Sequence, residues 1–208
     1  MELLEEATSA YQAAVTPAVA RYLLDRGISR EAAVTNRLGV VSDPFPGHGK
    51  FQGFLAIPYL DKDGRPLTIR FRCLQDHNCR DLFHGKYMTI ADDIPRMYGI
   101  GAIHLAGDEI HVCEGELDAV VLRMLGLHAV AVPGAKMWAN RHRRMLAGFS
   151  RVYVWADPDD AGAELTAKIT RALRSAKPVR LTADVTDTYL AGGADAIFAA
   201  LGREAVAA

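Results

Sequence analysis

The spacing of apolar positions changes along this chain, and each regime predicts its own elements. Thr16-Pro17 reads as a helix start, with Thr as N-cap and Pro in the first helical position. Val19, Tyr22 and Leu23 then share one face at i, i+3, i+4 spacing. Gly27 ends that helix, and Ser29 caps a second short one running toward Leu38-Gly39. Asp43-Pro-Phe-Pro-Gly-His-Gly49 is a loop by composition. Beyond it, the apolar runs Phe54–Leu60 and Leu67–Leu74 flank the turn Asp61-Lys-Asp-Gly64 and predict a β-hairpin. Ile69, Phe71 and Cys73 alternate with Arg70 and Arg72, which places both arginines on one strand face.

From about Ala106-Gly107 onward, short apolar runs alternate with helical stretches. Strands are predicted at Ile110–Cys113, Ala129–Val132, Val152–Ala156 and Val179–Leu181. Helices are predicted at Leu117–Leu125, Met137–Leu146, Ala161–Leu173 and from Asp187 through Leu201. Repeated strand–helix units require crossover connections and give a mainly parallel sheet flanked by helices. The expected fold class is α/β, with this sheet preceded by a smaller α+β basic subdomain. The boundary is placed near residue 107, giving domains 1–107 and 108–208.

Composition narrows the class. The 208 residues are 50% hydrophobic, 24% charged and 8% aromatic, a balance that excludes disorder and disulfide-rich mini-proteins. No apolar run is long enough to span a membrane. The amino-terminal MELLEEATSAYQAAV carries acids where a secretory signal needs basic residues. A cytoplasmic location is therefore expected, with Cys73, Cys79 and Cys113 as reduced thiols. The net charge of -1 rules out a large uniform basic field, so any nucleic-acid contact must be local. Between Gly64 and Ile90, five basic residues (Arg65, Arg70, Arg72, Arg80, Lys86) face two acids (Asp76, Asp81).

In open α/β sheets the working residues sit just beyond the carboxyl ends of the strands. Here the first strand of the second half runs into Glu114-Gly-Glu-Leu-Asp118, the third into Asp157-Pro-Asp-Asp160 and the fourth into Asp184-Val-Thr-Asp187. Carboxylates gathered at one edge repel unless cations sit among them, and hard oxygen ligands favour Mg²⁺ or Mn²⁺. Helix capping accounts for one acid per helix but not for Asp157 together with Asp159. A phosphoacceptor receiver domain would carry its paired acids after the first strand and a lone Asp after the third, the reverse of this order.

The motifs Glu114-Gly-Glu-Leu-Asp-Ala119 and Ala156-Asp-Pro-Asp-Asp-Ala-Gly162, with the Asp184–Asp187 acids, resemble the Toprim domain of primases, topoisomerases and some nucleases. Asp-x-Asp followed by Ala-Gly and a helix resembles the primase form in particular. The resemblance implies Glu114 as catalytic glutamate, acting with Asp157 and Asp159. It implies a metal set of Glu114, Asp118, Asp157, Asp159, Asp184 and Asp187, holding two or more Mg²⁺ or Mn²⁺ ions. Gly115 would let backbone approach phosphate and Gly162 would let a helix pack closely on its strand. Before residue 107, the succession Arg21–Ile28, Leu38-Gly39, Ile57-Pro58, Asp63-Gly64, Arg70-Phe-Arg72, Gly85–Met88 and Tyr98-Gly99 resembles the basic subdomain of DnaG-type primase cores. That subdomain lines the cleft for template and nucleotide, so Arg70, Arg72, Lys86 and Tyr87 are the implied nucleic-acid or nucleotide contacts. Arg141-His-Arg-Arg144 reads as a solvated helix face.

Departures from the family pattern also carry expectations. Nothing before Cys73 supplies a sulfur ligand for the family's zinc-binding domain. Cys73, His77, Cys79 and His84 lack a Cys-x₂-Cys knuckle, and Cys73 is assigned to a strand, so no zinc is expected in this chain. The resemblance thus implies a primase catalytic core, excised or minimal and of phage or mobile-element type, whose zinc module is a separate partner. It would synthesise short RNA primers from nucleoside triphosphates on single-stranded DNA, beside a replicative helicase and away from any membrane. The alternatives are a small Toprim nuclease using the same acids to activate water, and a non-catalytic Toprim nucleic-acid-binding module. A topoisomerase is disfavoured because no nucleophilic-tyrosine domain is attached.

Overall fold

The computed structural model describes residues 2–204, which divide into two units between Ile94 and Pro95, with Arg26–Ile28 counted in the second. The first unit opens with three helices, α1 (Glu2–Ala13), α2 (Pro17–Asp25) and α3 (Arg30–Thr35). As the sequence predicts, Thr16 caps α2, its hydroxyl accepting from Val19 N at 3.3 Å. Ser29 caps α3 by accepting from Ala32 N at 3.1 Å. An antiparallel sheet follows in spatial order β1 (Gly39–Val40), β2 (Leu55–Leu60), β3 (Pro66–Arg72), β4 (Tyr87–Met88). The β2–β3 hairpin turns where predicted. There the Asp61 carboxylate accepts from the backbone N–H groups of Asp63 and Arg65 at 2.8 and 2.9 Å. The core of this unit is aromatic, with Phe51 and Phe71 stacked at 4.0 Å between ring centroids and Tyr11, Phe54 and Ile69 around them.

The second unit contains α4 (Gly101–Leu105), β5 (Glu109–Cys113), α5 (Glu116–Met124), β6 (Ala129–Ala131), α6 (Asn140–Leu146), β7 (Arg151–Trp155), α7 (Asp160–Ala172), β8 (Ala176–Pro178) and α8 (Val185–Ala200). Its sheet is wholly parallel in the order β6-β5-β7-β8, so the α/β class read from the periodicity is the one observed. Ile110, Val112, Val130, Val152 and Val154 supply the strand side of the core, and Leu146, Leu165 and Ile169 the helix side. None of the described helices is long and apolar enough to cross a membrane.

Several boundaries depart from the sequence reading. The units part before residue 107, because Tyr98 pairs with Ala131 through two backbone hydrogen bonds of 2.8 and 3.0 Å and so ties the preceding segment to the second sheet. The last strand is Ala176–Pro178 rather than Val179–Leu181, although Val179 N still donates to Val154 O. An edge strand beside β7 needs little apolar content, so its pattern is weak. The final helix begins at Val185 rather than Asp187, since Asp184 is its N-cap.

Candidate active site

The parallel register of β5 and β7 aligns Cys113 with Trp155, and the two chains leave the sheet together at Glu114 and Ala156. Glu114 follows β5 directly, and its backbone N–H donates to Trp155 O at 3.3 Å. Gly115 is the N-cap of α5, and Asp118 lies in that helix's first turn. Asp157 follows β7, and Asp159 caps α7 by accepting from Gly162 N at 2.8 Å. Asp184 caps α8 by accepting from Asp187 N at 2.6 Å. Three helix starts and two strand ends thus bring acids to one edge of the sheet.

Two close approaches hold this edge. A Cβ on Gly162 would lie 2.1 Å from the Asp157 carbonyl oxygen, so only glycine lets α7 begin this near the end of β7. A Cβ on Gly115 would lie 2.3 Å from Asp118 Oδ2, so the approach Gly115 permits in this chain is to a carboxylate. Asp118 Oδ1 also accepts from Thr186 N at 3.0 Å and Thr186 Oγ1 at 2.6 Å. Thr186 is the residue that sequence reasoning missed: it lies between two singled-out acids, but its sequence context carries no sign of its target.

The electrostatics show which acids act as a group. Asp157 is pushed up to about 7, first by burial and then by Asp118, Glu114, Asp184 and Asp159. Glu114 is raised by burial, Asp159 and Asp118, and its Oε2 is buried without a hydrogen-bond partner. Asp118 is raised by burial, Asp184 and Glu116, against the lowering effect of the Thr186 hydrogen bonds. Five of the six predicted metal-binding acids therefore share one field. Asp187 stands apart from it, exposed in the first turn of α8 and contributing its backbone N–H to Asp184.

Residues 108–183 match the family model of the Toprim domain. The Gene 57 protein of Mycobacterium phage D29 is 32% identical over 153 residues, a match spanning 71% of this chain and 97% of that protein. The chain belongs to the Toprim family. Its fold is that of DnaG-type primase catalytic cores. The zinc-binding and RNA polymerase domains of Aquifex aeolicus primase superpose with a TM-score of 0.81 at 19% identity, covering 96% of this chain. The match takes in 59% of that longer protein. The RNA polymerase domain of Mycobacterium tuberculosis DnaG, solved with a double-stranded DNA oligomer bearing a 6-nucleotide overhang, gives 0.77 at 18% identity. That match covers 97% of this chain and 79% of the other.

The basic residues ahead of the Toprim domain divide into two kinds. Arg70 and Arg72 do share a face of β3, yet the face is closed at Arg72, which is only 5% exposed. Its guanidinium lies 4.9 Å from the Tyr87 ring centroid and 5.6 Å from that of Tyr22, and it donates to the Tyr87 hydroxyl. Half-buried Arg70 lies 5.0 Å from the same Tyr87 ring, and Lys86 is exposed. The face is closed at Arg72 because Tyr22 of α2 covers it.

The four residues at which no zinc is expected lie close together. Strand β3 ends at Arg72, one residue before Cys73, and the loop that follows brings Cys73, His77, Cys79 and His84 together. The path of a loop, not its residue count, decides which side chains meet.

Proposed function

We propose that this chain is a primase-type nucleotidyltransferase, joining ribonucleoside triphosphates into short RNA primers on single-stranded DNA with release of pyrophosphate. The observation that carries the reading is the mutually coupled set Glu114, Asp118, Asp157, Asp159 and Asp184 at one edge of the Toprim sheet. The residues fit divalent cations, because the donors are hard oxygens, their mutual repulsion calls for positive charge, and Glu114 Oε2 is buried without a partner. Mg²⁺ or Mn²⁺ held there would neutralise the triphosphate and lower the barrier to attack on its α-phosphorus.

The protein's own groups then have distinct tasks. Glu114, with a raised pKa and a buried oxygen, accepts the proton of the attacking 3′-hydroxyl as the new O–P bond forms and the bond to pyrophosphate breaks. Thr186 holds Asp118 in one orientation, and Gly162 N–H does the same for Asp159. In the first unit, Arg70 and Lys86 meet phosphate charge, while Arg72 acts by fixing Tyr87 beside them. A replicative helicase and a separate zinc-binding module are the partners such a core would work with.

The deciding experiment incubates the chain with single-stranded DNA, labelled nucleoside triphosphates and Mg²⁺ or Mn²⁺. Short RNA products that disappear in Glu114→Gln are expected. Cut DNA without RNA would make the protein a Toprim nuclease, and binding without either product would make it a non-catalytic module.

A further inference from the structure

We infer that Cys73, His77, Cys79 and His84 form a structural zinc site within the first unit, independent of the acidic site and of the reaction proposed for it. One donor atom from each of the four residues lies within 4.8 Å of the other three. Cys73 Sγ is 3.6 Å from His77 Nε2, and His77 Nε2 is 3.1 Å from His84 Nε2. A tetrahedral zinc ion, about 2.3 Å from sulfur and about 2.0 Å from nitrogen, holds a sulfur and a nitrogen ligand about 3.6 Å apart and two nitrogens about 3.3 Å apart. Both observed separations match edges of that tetrahedron.

The hydrogen bonding around His84 agrees. Its Nδ1 is 3.0 Å from the Gly85 carbonyl oxygen, which can only accept. Nδ1 therefore carries the proton, and Nε2 presents its lone pair toward the other donors. This is the arrangement of a metal-ligating histidine whose second nitrogen is anchored by a backbone carbonyl. Two imidazoles and two thiols form a set that suits zinc and disfavours Mg²⁺ or Mn²⁺. Both cysteines are free rather than paired in a disulfide.

The backbone closes the loop around the donors. Cys73 N donates to Lys86 O at 2.9 Å, and His84 N donates to Cys79 O at 3.0 Å. A cavity of about 430 Å³, lined in part by Cys73, His77 and His84, gives an ion a way in. The loop contains little apolar packing of its own: Phe83 at its tip is 99% exposed and has a φ of 56°. Zinc would supply the cross-link that such a loop lacks, and would fix the position of Lys86 at its end.

The test loads the 208-residue chain, stripped with chelator under reducing conditions, with Zn²⁺ alone or Co²⁺ alone. One zinc per chain is expected, and Co²⁺ should show the intense visible bands of a tetrahedral ion with sulfur-to-cobalt charge transfer. Cys79→Ser and His84→Ala should each weaken Zn²⁺ binding by about 100-fold or more, while the Asp157→Asn, Asp159→Asn double variant keeps the stoichiometry and the spectrum. The cobalt spectrum of the unmutated protein stands even if a variant misfolds. A weak octahedral cobalt spectrum in the folded parent would overturn the site. So would a Cys73–Cys79 disulfide formed in place of zinc binding, or zinc lost with the aspartates and retained by Cys79→Ser.

Discussion

Thr186 gives both its backbone N–H and its hydroxyl to a single oxygen of Asp118, at 3.0 and 2.6 Å. One residue at the start of α8 thereby orients a nearly buried carboxylate on α5, across a gap of 68 positions in the chain. Charge-assisted bonds to a buried acid are among the stronger ones a fold can make. Thr186→Val keeps the shape and removes the hydroxyl donor, so unfolding in urea should show a loss of about 1–3 kcal/mol. The Mg²⁺ or Mn²⁺ concentration needed for half-maximal thermal stabilisation should rise as well. A variant within about 0.5 kcal/mol of the parent and with the same metal response would mean that Asp118 is oriented by something else.

Asp157, raised from 3.8 to about 7, should leave a pH signature in metal-free protein. Because its folded pKa lies above its unfolded one, the stability it contributes is complete below about pH 4 and is lost as the pH rises toward about 7. Buried histidines run the other way: His111 and His142 are lowered to about 4, mainly by burial, and stabilise the fold once the pH exceeds their ordinary range. The parent's own curve therefore mixes opposite slopes, and the informative quantity is its difference from Asp157→Asn. In chelator, the variant's advantage in melting temperature should grow between about pH 5 and about pH 8, and millimolar Mg²⁺ should shrink it. A difference independent of pH would remove Asp157 from the acidic cluster.

Glu114→Gln preserves volume and takes away the negative charge and the basicity. Primer synthesis should fall by about 100-fold or more, with the melting temperature of metal-free protein unchanged or raised because a repelling charge is gone. Activity within a few-fold of the parent would exclude Glu114 as the base.

The two arginines of β3 should separate cleanly. Arg72→Ala strips a buried guanidinium from between Tyr22 and Tyr87 and should cost about 1–3 kcal/mol in stability, with Arg72→Lys recovering only part of it because an ammonium cannot stack or bridge in the same way. Arg70→Ala should leave stability nearly unchanged while weakening single-stranded DNA binding and flattening its dependence on salt. Equal stability losses for both substitutions would show that Arg72 is no more structural than Arg70.

The parallel sheet and the acids at its edge were legible in the amino-acid sequence for a simple reason. Strand–helix alternation predicts a parallel sheet, and residues directly after strands β5 and β7 must emerge at its carboxyl edge whatever the rest of the chain does. The helix caps Thr16 and Ser29 and the Asp61 turn were legible too, because each depends on neighbours within a few positions. Other features needed the folded chain. Strand alternation places Arg72 on a face with Arg70, but only the fold brings Tyr22 of α2 over it. The division between the units follows the Tyr98–Ala131 pairing, made between residues far apart in the chain, and Thr186 finds Asp118 only when α5 and α8 start side by side. Cys73, His77, Cys79 and His84 meet because a backbone bond between Cys73 and Lys86 closes their loop. Periodicity reports which face a residue occupies on its own element. Which partner lies across that face depends on contacts between distant segments, and those exist only after the chain has folded.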